Sequence, residues 1–274
     1  MNRGSHPDPH ASSAAQASLR SAPSLRAHLI ASRLAGRVAT TRGNIRENCR
    51  KLAEGHADYT FGLSDYRTAT AEDAIAAVRA LCGSDPRLGA WHEPGWIEPD
   101  ATVAGIERHR ERLAGLVAGG GGRVLLATGH PTGLLGHYAA IARALAASGC
   151  LILTPRDETW VARDQRGLEL GIRFVDNVSC AFDGASLRHT HRSMFMEAML
   201  DASEGDPPDL VIADHGMAGA AIERGIPTLS IADVNDPALP LAQARGRTDA
   251  VLPIDDNLSP RLFTPVTEAI LARP

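Results

Sequence analysis

The pattern of apolar and polar positions changes at residues 119–122, a run of four glycines. Ahead of it, apolar side chains recur at spacings of three and four in Leu25–Arg37, Ala71–Leu81 and Thr102–Val117. That is the period of helices with one buried face. Between the last two, Pro86–Pro99 holds Trp91, His92, Pro94 and Trp96 and reads as an ordered loop. Beyond the glycines, short apolar runs alternate with helical ones. Arg123–Ala127, Leu151–Leu153, Ile172–Val175, Ala185–Leu187, Leu210–Ala213, Thr228–Ala232 and Ala250–Pro253 are the expected strands. Leu134–Ala147, Met194–Ala202, Met217–Arg224 and Ala238–Arg245 are the expected helices.

Strands alternating with helices imply βαβ crossovers. The expectation is an α/β fold: a Rossmann-like, mainly parallel sheet over residues 123–274, with a helical N-terminal subdomain, residues 26–122, packed against it. Residues 1–25, rich in Ser, Ala, Pro and His, lack the apolar run of a signal peptide and read as a disordered tail.

Composition narrows the class. At 274 residues the chain can bury a large core, and with 44% hydrophobic but only 4% aromatic residues that core must be built from small aliphatic side chains. A net charge of −4 supplies no basic field for phosphate backbones, so nucleic acid is not an expected partner. No apolar run reaches the length of a membrane span, and no membrane association is expected. The cysteines Cys49, Cys82, Cys150 and Cys180 form no CxxC pair, which suits a reducing, cytoplasmic compartment and argues against a thiolate zinc site.

In open α/β sheets ligands bind where the carboxyl ends of strands meet helix N-termini. Three of the strand ends here are acidic: Asp214 after Leu210–Ala213, Asp233 with Asn235 and Asp236 after Thr228–Ala232, and Asp255-Asp256 after Ala250–Pro253. Oxygen-rich sets of this kind suit Mg²⁺ or another divalent cation, with Asp214, Asp233, Asn235 and Asp236 as candidates. Helix capping is the competing role, above all for Asp236.

After Arg123–Ala127 comes Thr128-Gly129-His130-Pro131-Thr132-Gly133. Free N–H groups at a helix start would hold an anion there, most naturally phosphate, on Thr128, Gly129, Thr132 and Gly133. The competing reading is a tight turn with an N-cap. His189 and His191 fall on one face of an extended stretch and, with His130 and His215 in strand-end loops, are candidates for proton transfer. A cluster of Arg42, Asn44, Arg46, Asn48, Arg50 and Lys51 is by default a solvated helix face. Folded over the sheet edge, it would put Arg42 and Lys51 to work as a positive clamp on an anionic substrate.

These strings are similar to those of an actinobacterial Rossmann-like family of phosphatases. The resemblance is carried by Ala127–Leu135, Arg188-His189-Thr190-His191, Pro208–Gly216, Ile231–Leu239, Pro253–Arg261 and Arg42…Asn48…Arg50-Lys51-Leu52-Ala53, and covers roughly residues 26–274. Two positions depart from the family pattern: Thr132-Gly133 in place of Gly-Gly, and Met217 in place of Trp. The resemblance implies a Rossmann-like phosphatase acting on a small phosphorylated metabolite; with the acidic strand ends, the leading reading is a metal-dependent phosphomonoesterase for a sugar phosphate or nucleoside monophosphate. In that scheme the aspartates hold Mg²⁺, the glycine loop binds phosphate, and a histidine, His191 first, protonates the leaving group. A sugar-phosphate isomerase or lyase and a non-catalytic phosphosugar-binding regulator are the alternatives, and assembly into a homo-oligomer stays open.

Overall fold

The computed structural model describes residues 24–164 and 166–272, so all but the last two residues of the expected tail lie outside the described residues. The predicted helix over Leu25–Arg37 divides. Helix α1 (Leu25–Ser32) stops at Arg33, which turns left-handed at φ 63°, and strand β1 (Gly36–Thr41) follows. β1 pairs antiparallel with β2 (Pro94–Ile97), which lies inside the stretch read as a loop. The basic cluster is helix α2 (Arg42–Ala53); it buries Ile45, Cys49 and Leu52 and is capped by Thr41, whose hydroxyl accepts from Asn44 N–H. Helices α3 (Ala57–Thr60), α4 (Ala71–Cys82) and α5 (Pro99–Ala118) complete this half.

The main sheet contains β3 (Arg123–Thr128), β4 (Leu151–Ile152), β5 (Thr159–Arg163), β6 (Glu169–Val175), β7 (Val178–Phe182), β8 (Leu187–Arg188), β9 (Leu210–Asp214), β10 (Thr228–Ala232) and β11 (Val251–Pro253). Its order is β11-β10-β9-β3-β7-β6-β5, with β4 also beside β3 and β8 beside β7. β11, β10, β9, β3, β4 and β7 pair in parallel, whereas β5, β6 and β8 are antiparallel additions. The sheet is therefore mixed, which corrects the expectation of a mainly parallel one. The cause is a hairpin: Asp176 and Asn177 both take left-handed φ, 50° and 65°, and fold β7 back on β6.

β9, β10 and β11 are buried at every position, as strands covered on both faces must be. Helix α6 (Pro131–Ala147) follows β3 and α8 (His215–Glu223) follows β9. Their right-handed crossovers run in opposite directions along the sheet, which puts the two helices on opposite faces. The direction reverses between β3 and β9, so a crevice opens at their carboxyl ends. Helices α7 (Met194–Asp201), α9 (Ala238–Ala244) and α10 (Thr264–Leu271) fill the remaining cover. One hydrophobic cluster runs from Leu29 through Leu125 and Val211 to Ile270, and each fully buried Leu, Ile or Val in it contributes about 1.5–3 kcal/mol.

Candidate active site

The crevice holds a cavity of about 190 Å³ lined by twelve residues: Ala39, Thr40, His130, His189, His191, His215, Asp233, Asn235, Asp236, Asp255, Asp256 and Asn257. Four are aspartates and four are histidines, and none is a lysine or arginine. His130 comes from the β3 end, His215 from the β9 end, Asp233 and Asp236 from the β10 end, and Asp255 and Asp256 from the β11 end. His189 and His191 arrive on the segment between β8 and α7.

Backbone contacts seat that segment closely. Thr190 N–H donates to Gly129 O at 2.9 Å, and a Cβ on Gly129 would meet Thr190 O at 2.3 Å. A Cβ on Gly216 would meet His191 O at 2.3 Å. Both glycines are needed for close approach, so Gly129 is a seat for the His189–His191 segment. Its N–H is also committed, donating to Asp214 Oδ1 at 2.7 Å.

Two histidines have one ring nitrogen tied to an acceptor. His215 Nδ1 lies 2.7 Å from Asp214 Oδ1, and His191 Nδ1 lies 2.8 Å from Asp58 O. Each contact fixes a hydrogen on Nδ1 and leaves Nε2 as the ring's second site. His215 Nε2 stands 3.5 Å from Asp236 Oδ2 and 3.5 Å from Asp256 Oδ2. His215 reaches this position at a left-handed φ of 46°, a strained conformation for a side chain of its size. The His215 and His191 rings stack at 4.6 Å, as do His130 and His189 at 4.5 Å, and Phe61 closes the rear of His215 and His191 edge-on.

The carboxylates are also held from the N-terminal half. Thr40 Oγ1 donates to Asp233 Oδ2 at 3.1 Å, and Asp255 N–H donates to Leu34 O at 2.9 Å. Asn235 Nδ2 donates to Asn44 Oδ1 at 3.0 Å. Asp256 Oδ2 is buried without a hydrogen-bond partner, and so is His130 Nδ1, which stands 3.4 Å from Asp256 Oδ1.

Crowding perturbs these groups strongly. Burial together with Asp255, Asp256 and Asp236 holds the Asp233 carboxyl well above the carboxylate range, and burial pushes Asp255 up to about 6. Burial opposes charge on His215, yet Asp236, Asp214 and Asp256 outweigh it and push its pKa up to about 10. His189, desolvated and beside three other imidazoles, falls to about 4 and is neutral near pH 7. A site in which carboxylates compete this hard for protons is one that positive charge would stabilise.

Several expected site residues stand elsewhere. Asp214 is fully buried behind His215 and does not line the cavity. Thr128 Oγ1 accepts from His130 N–H and shapes the turn, Gly133 packs on Asp256 O, and Thr132 is exposed. The Gly129 N–H and the Thr128 hydroxyl are thus committed within the protein. Arg42 donates to Asp85 O and faces Glu93, while Lys51 lies on Tyr59 and near Glu47, and neither reaches the cavity. Met217, the second departure from the family pattern, is buried in the core. Asp255 and Asp256 stand at a strand end outside the expected ligand set, Asn257 lies in the Pro253–Arg261 string, and no local pattern marks Thr40 or Asp58.

The model of a family described as Phosphatase matches residues 20–274. The chain belongs to the Phosphatase family. It is accordingly a hydrolase acting on phosphate. A relative within this family, Phosphatase SCO2771 of Streptomyces coelicolor, is 39% identical over 250 residues, which span 89% of this chain and 92% of the relative.

Proposed function

We propose that the chain is a metal-dependent phosphomonoesterase whose phosphate site is the His/Asp cavity. One observation carries this reading: a phosphate-hydrolysing enzyme has a cavity lined by four aspartates and no lysine or arginine. A phosphate dianion would be repelled from such a lining unless divalent cations reverse its sign. The residues fit that requirement, since His189, His191 and His215, then His215, Asp236 and Asp256, then Asp233, Asp255 and Asp256 each bring ligand atoms within 4.8 Å of one another. Bound there, a divalent cation such as Mg²⁺ would neutralise phosphate oxygens and acidify water.

The protein's own groups do the rest. Water adds its oxygen to phosphorus, the ester oxygen leaves with its electron pair and takes up a proton, and a cavity carboxylate receives the proton that water loses. His130 lines the cavity but belongs to none of the three clusters, which makes it the group free to give the leaving oxygen its proton. This replaces His191, whose Nδ1 is committed to Asp58 O and whose other nitrogen belongs to the histidine cluster.

The substrate is a small metabolite. The inner cavity takes little beyond the phosphate group, and a shallower groove lined by Asp58, Tyr59, His189, Thr190, His191 and Arg192 shares two histidines with it and would receive the alcohol portion. Four buried free cysteines accord with a cytoplasmic setting, and among the described residues no helix is long and apolar enough to cross a membrane. The test is phosphate release across sugar phosphates and nucleoside monophosphates, with and without chelator. Loss of release in chelator and its return with Mg²⁺ or Mn²⁺ is expected, and full turnover in metal-free protein would refute the reading.

A further inference from the structure

The three clusters are not three versions of one site. They form a chain: His215 belongs to the first and second, and Asp256 to the second and third. The two end clusters share no residue, so filling one leaves every ligand of the other in place. They also differ in chemistry. One end offers three imidazoles, His189, His191 and His215, and the other three carboxylates, Asp233, Asp255 and Asp256.

Two further observations point the donors at a guest. Asp256 lines the cavity and is only 4% exposed, and its Oδ2 has no hydrogen-bond partner, only a longer 3.5 Å contact to His215 Nε2. The Nδ1 atoms of His191 and His215 are held by Asp58 O and the Asp214 carboxylate, the arrangement that orients an imidazole toward a cation. The cavity volume of about 190 Å³ exceeds by several-fold the ~30 Å³ share of one water.

We propose that this cavity holds two divalent cations in chemically distinct subsites. This rests on the metal-dependent reading above and goes further in assigning number and kind. The imidazole subsite suits a borderline transition metal of the zinc or iron(II) type, and the carboxylate subsite suits a hard cation, magnesium or manganese. Asp236 belongs to neither end cluster and joins His215 and Asp256 in the middle one. The imidazole subsite should bind more tightly and keep its ion through dialysis, whereas the carboxylate subsite exchanges freely.

The experiment is metal analysis of the purified full chain. After dialysis without chelator, about one equivalent of transition metal is expected; calorimetric titration of that protein with Mn²⁺ should then show a second, weaker equivalent. Protein stripped and reloaded with Mn²⁺ alone should give the electron paramagnetic resonance signal of an exchange-coupled pair. His189→Ala should remove the retained metal and leave the weaker equivalent, and Asp255→Asn should do the reverse. Saturation at one equivalent, or isolated Mn²⁺ spectra at full loading, overturns the two-subsite proposal, and neither result depends on a variant folding. A one-ion enzyme that is silenced by chelator would retain the metal-dependent reading and lose only this inference, whereas turnover in metal-free protein removes both.

Discussion

The imidazole of His215 is held by the carboxylate of Asp214 at 2.7 Å, one residue away in sequence and at the junction of β9 with α8. The same Asp214 oxygen takes the N–H of Gly129, so one carboxylate ties β3 to β9 and aims the histidine between them. An acidic strand end thus acts here at one remove from the cavity.

Asp214→Asn keeps an oxygen for both donors and removes the charge that makes His215 a stronger base. Affinity for divalent cations should fall by about 10–100-fold, with the fold retained. Asp256→Asn, which alters a cavity-lining carboxylate, should lower it further. Cation titrations of the two variants compare the effects directly, and unchanged affinity in Asp214→Asn would show that the contact is merely structural.

His130→Ala separates proton donation from binding. Turnover of an alkyl phosphate should drop by about a hundredfold to ten-thousandfold, while p-nitrophenyl phosphate, whose leaving group needs no proton, should lose much less. Equal losses on both substrates would assign His130 to binding.

Gly219 sits in α8 where a Cβ would come within 2.0 Å of Phe61 O, in the segment whose Asp58 carbonyl holds His191. Gly219→Ala must push that backbone away and should cost about 1–3 kcal/mol in stability along with cation affinity. Gly136→Ala is the control: no atom lies within 4 Å of its Cβ position in α6, and the change should add about 0.5–1 kcal/mol. Denaturant unfolding of both variants reads the contrast, which a destabilised Gly136→Ala or an unaltered Gly219→Ala would break.

His109, remote from the cavity, is buried in α5 with Nε2 2.9 Å from Ala250 O, and burial lowers its pKa to about 4. Unfolded, it would bind a proton near pH 6.5, so the unfolded chain carries the extra proton between those values and stability must fall as pH drops through that window. His109→Gln keeps a donor for Ala250 O and removes the titration. The stability difference between native and variant proteins should therefore shift against the native chain by up to about 1.4 kcal/mol per pH unit from about 6.5 to about 4. A difference independent of pH would mean that His109 keeps its proton in the fold.

Much of this was readable in the chain because the parallel strands announce themselves. Leu210–Ala213 and Thr228–Ala232 are apolar runs too short for helices, and the polar groups that follow them, His215, Asp233, Asn235 and Asp236, all stand at the cavity. Asp255 and Asp256, which follow the strand ending at Pro253, satisfy the same rule. Asp214 was misplaced because a strand-end carboxylate can face the crevice or turn back to its neighbour, and sequence does not distinguish the two. β7 escaped because the Asp176-Asn177 turn that joins it to β6 carries no glycine, and β5 pairs with β6 on that strand's other edge. The holders Thr40 and Asp58 act through contacts 193 and 133 residues distant, which no local pattern encodes.

Those separations also bear on how the molecule comes into being. Residues near 40 and 58, then near 190, then near 233 and 255 must all meet before the cavity exists. Closing loops of that size costs chain entropy before any contact offsets it, so the cavity belongs to the late part of folding. During translation the histidines at 189 and 191 emerge well before Asp255 and Asp256, and the nascent chain has no finished trap for an ion. On the metal-dependent proposal, acquisition of the cation is then an event of the completed fold, set by the ions in equilibrium with it.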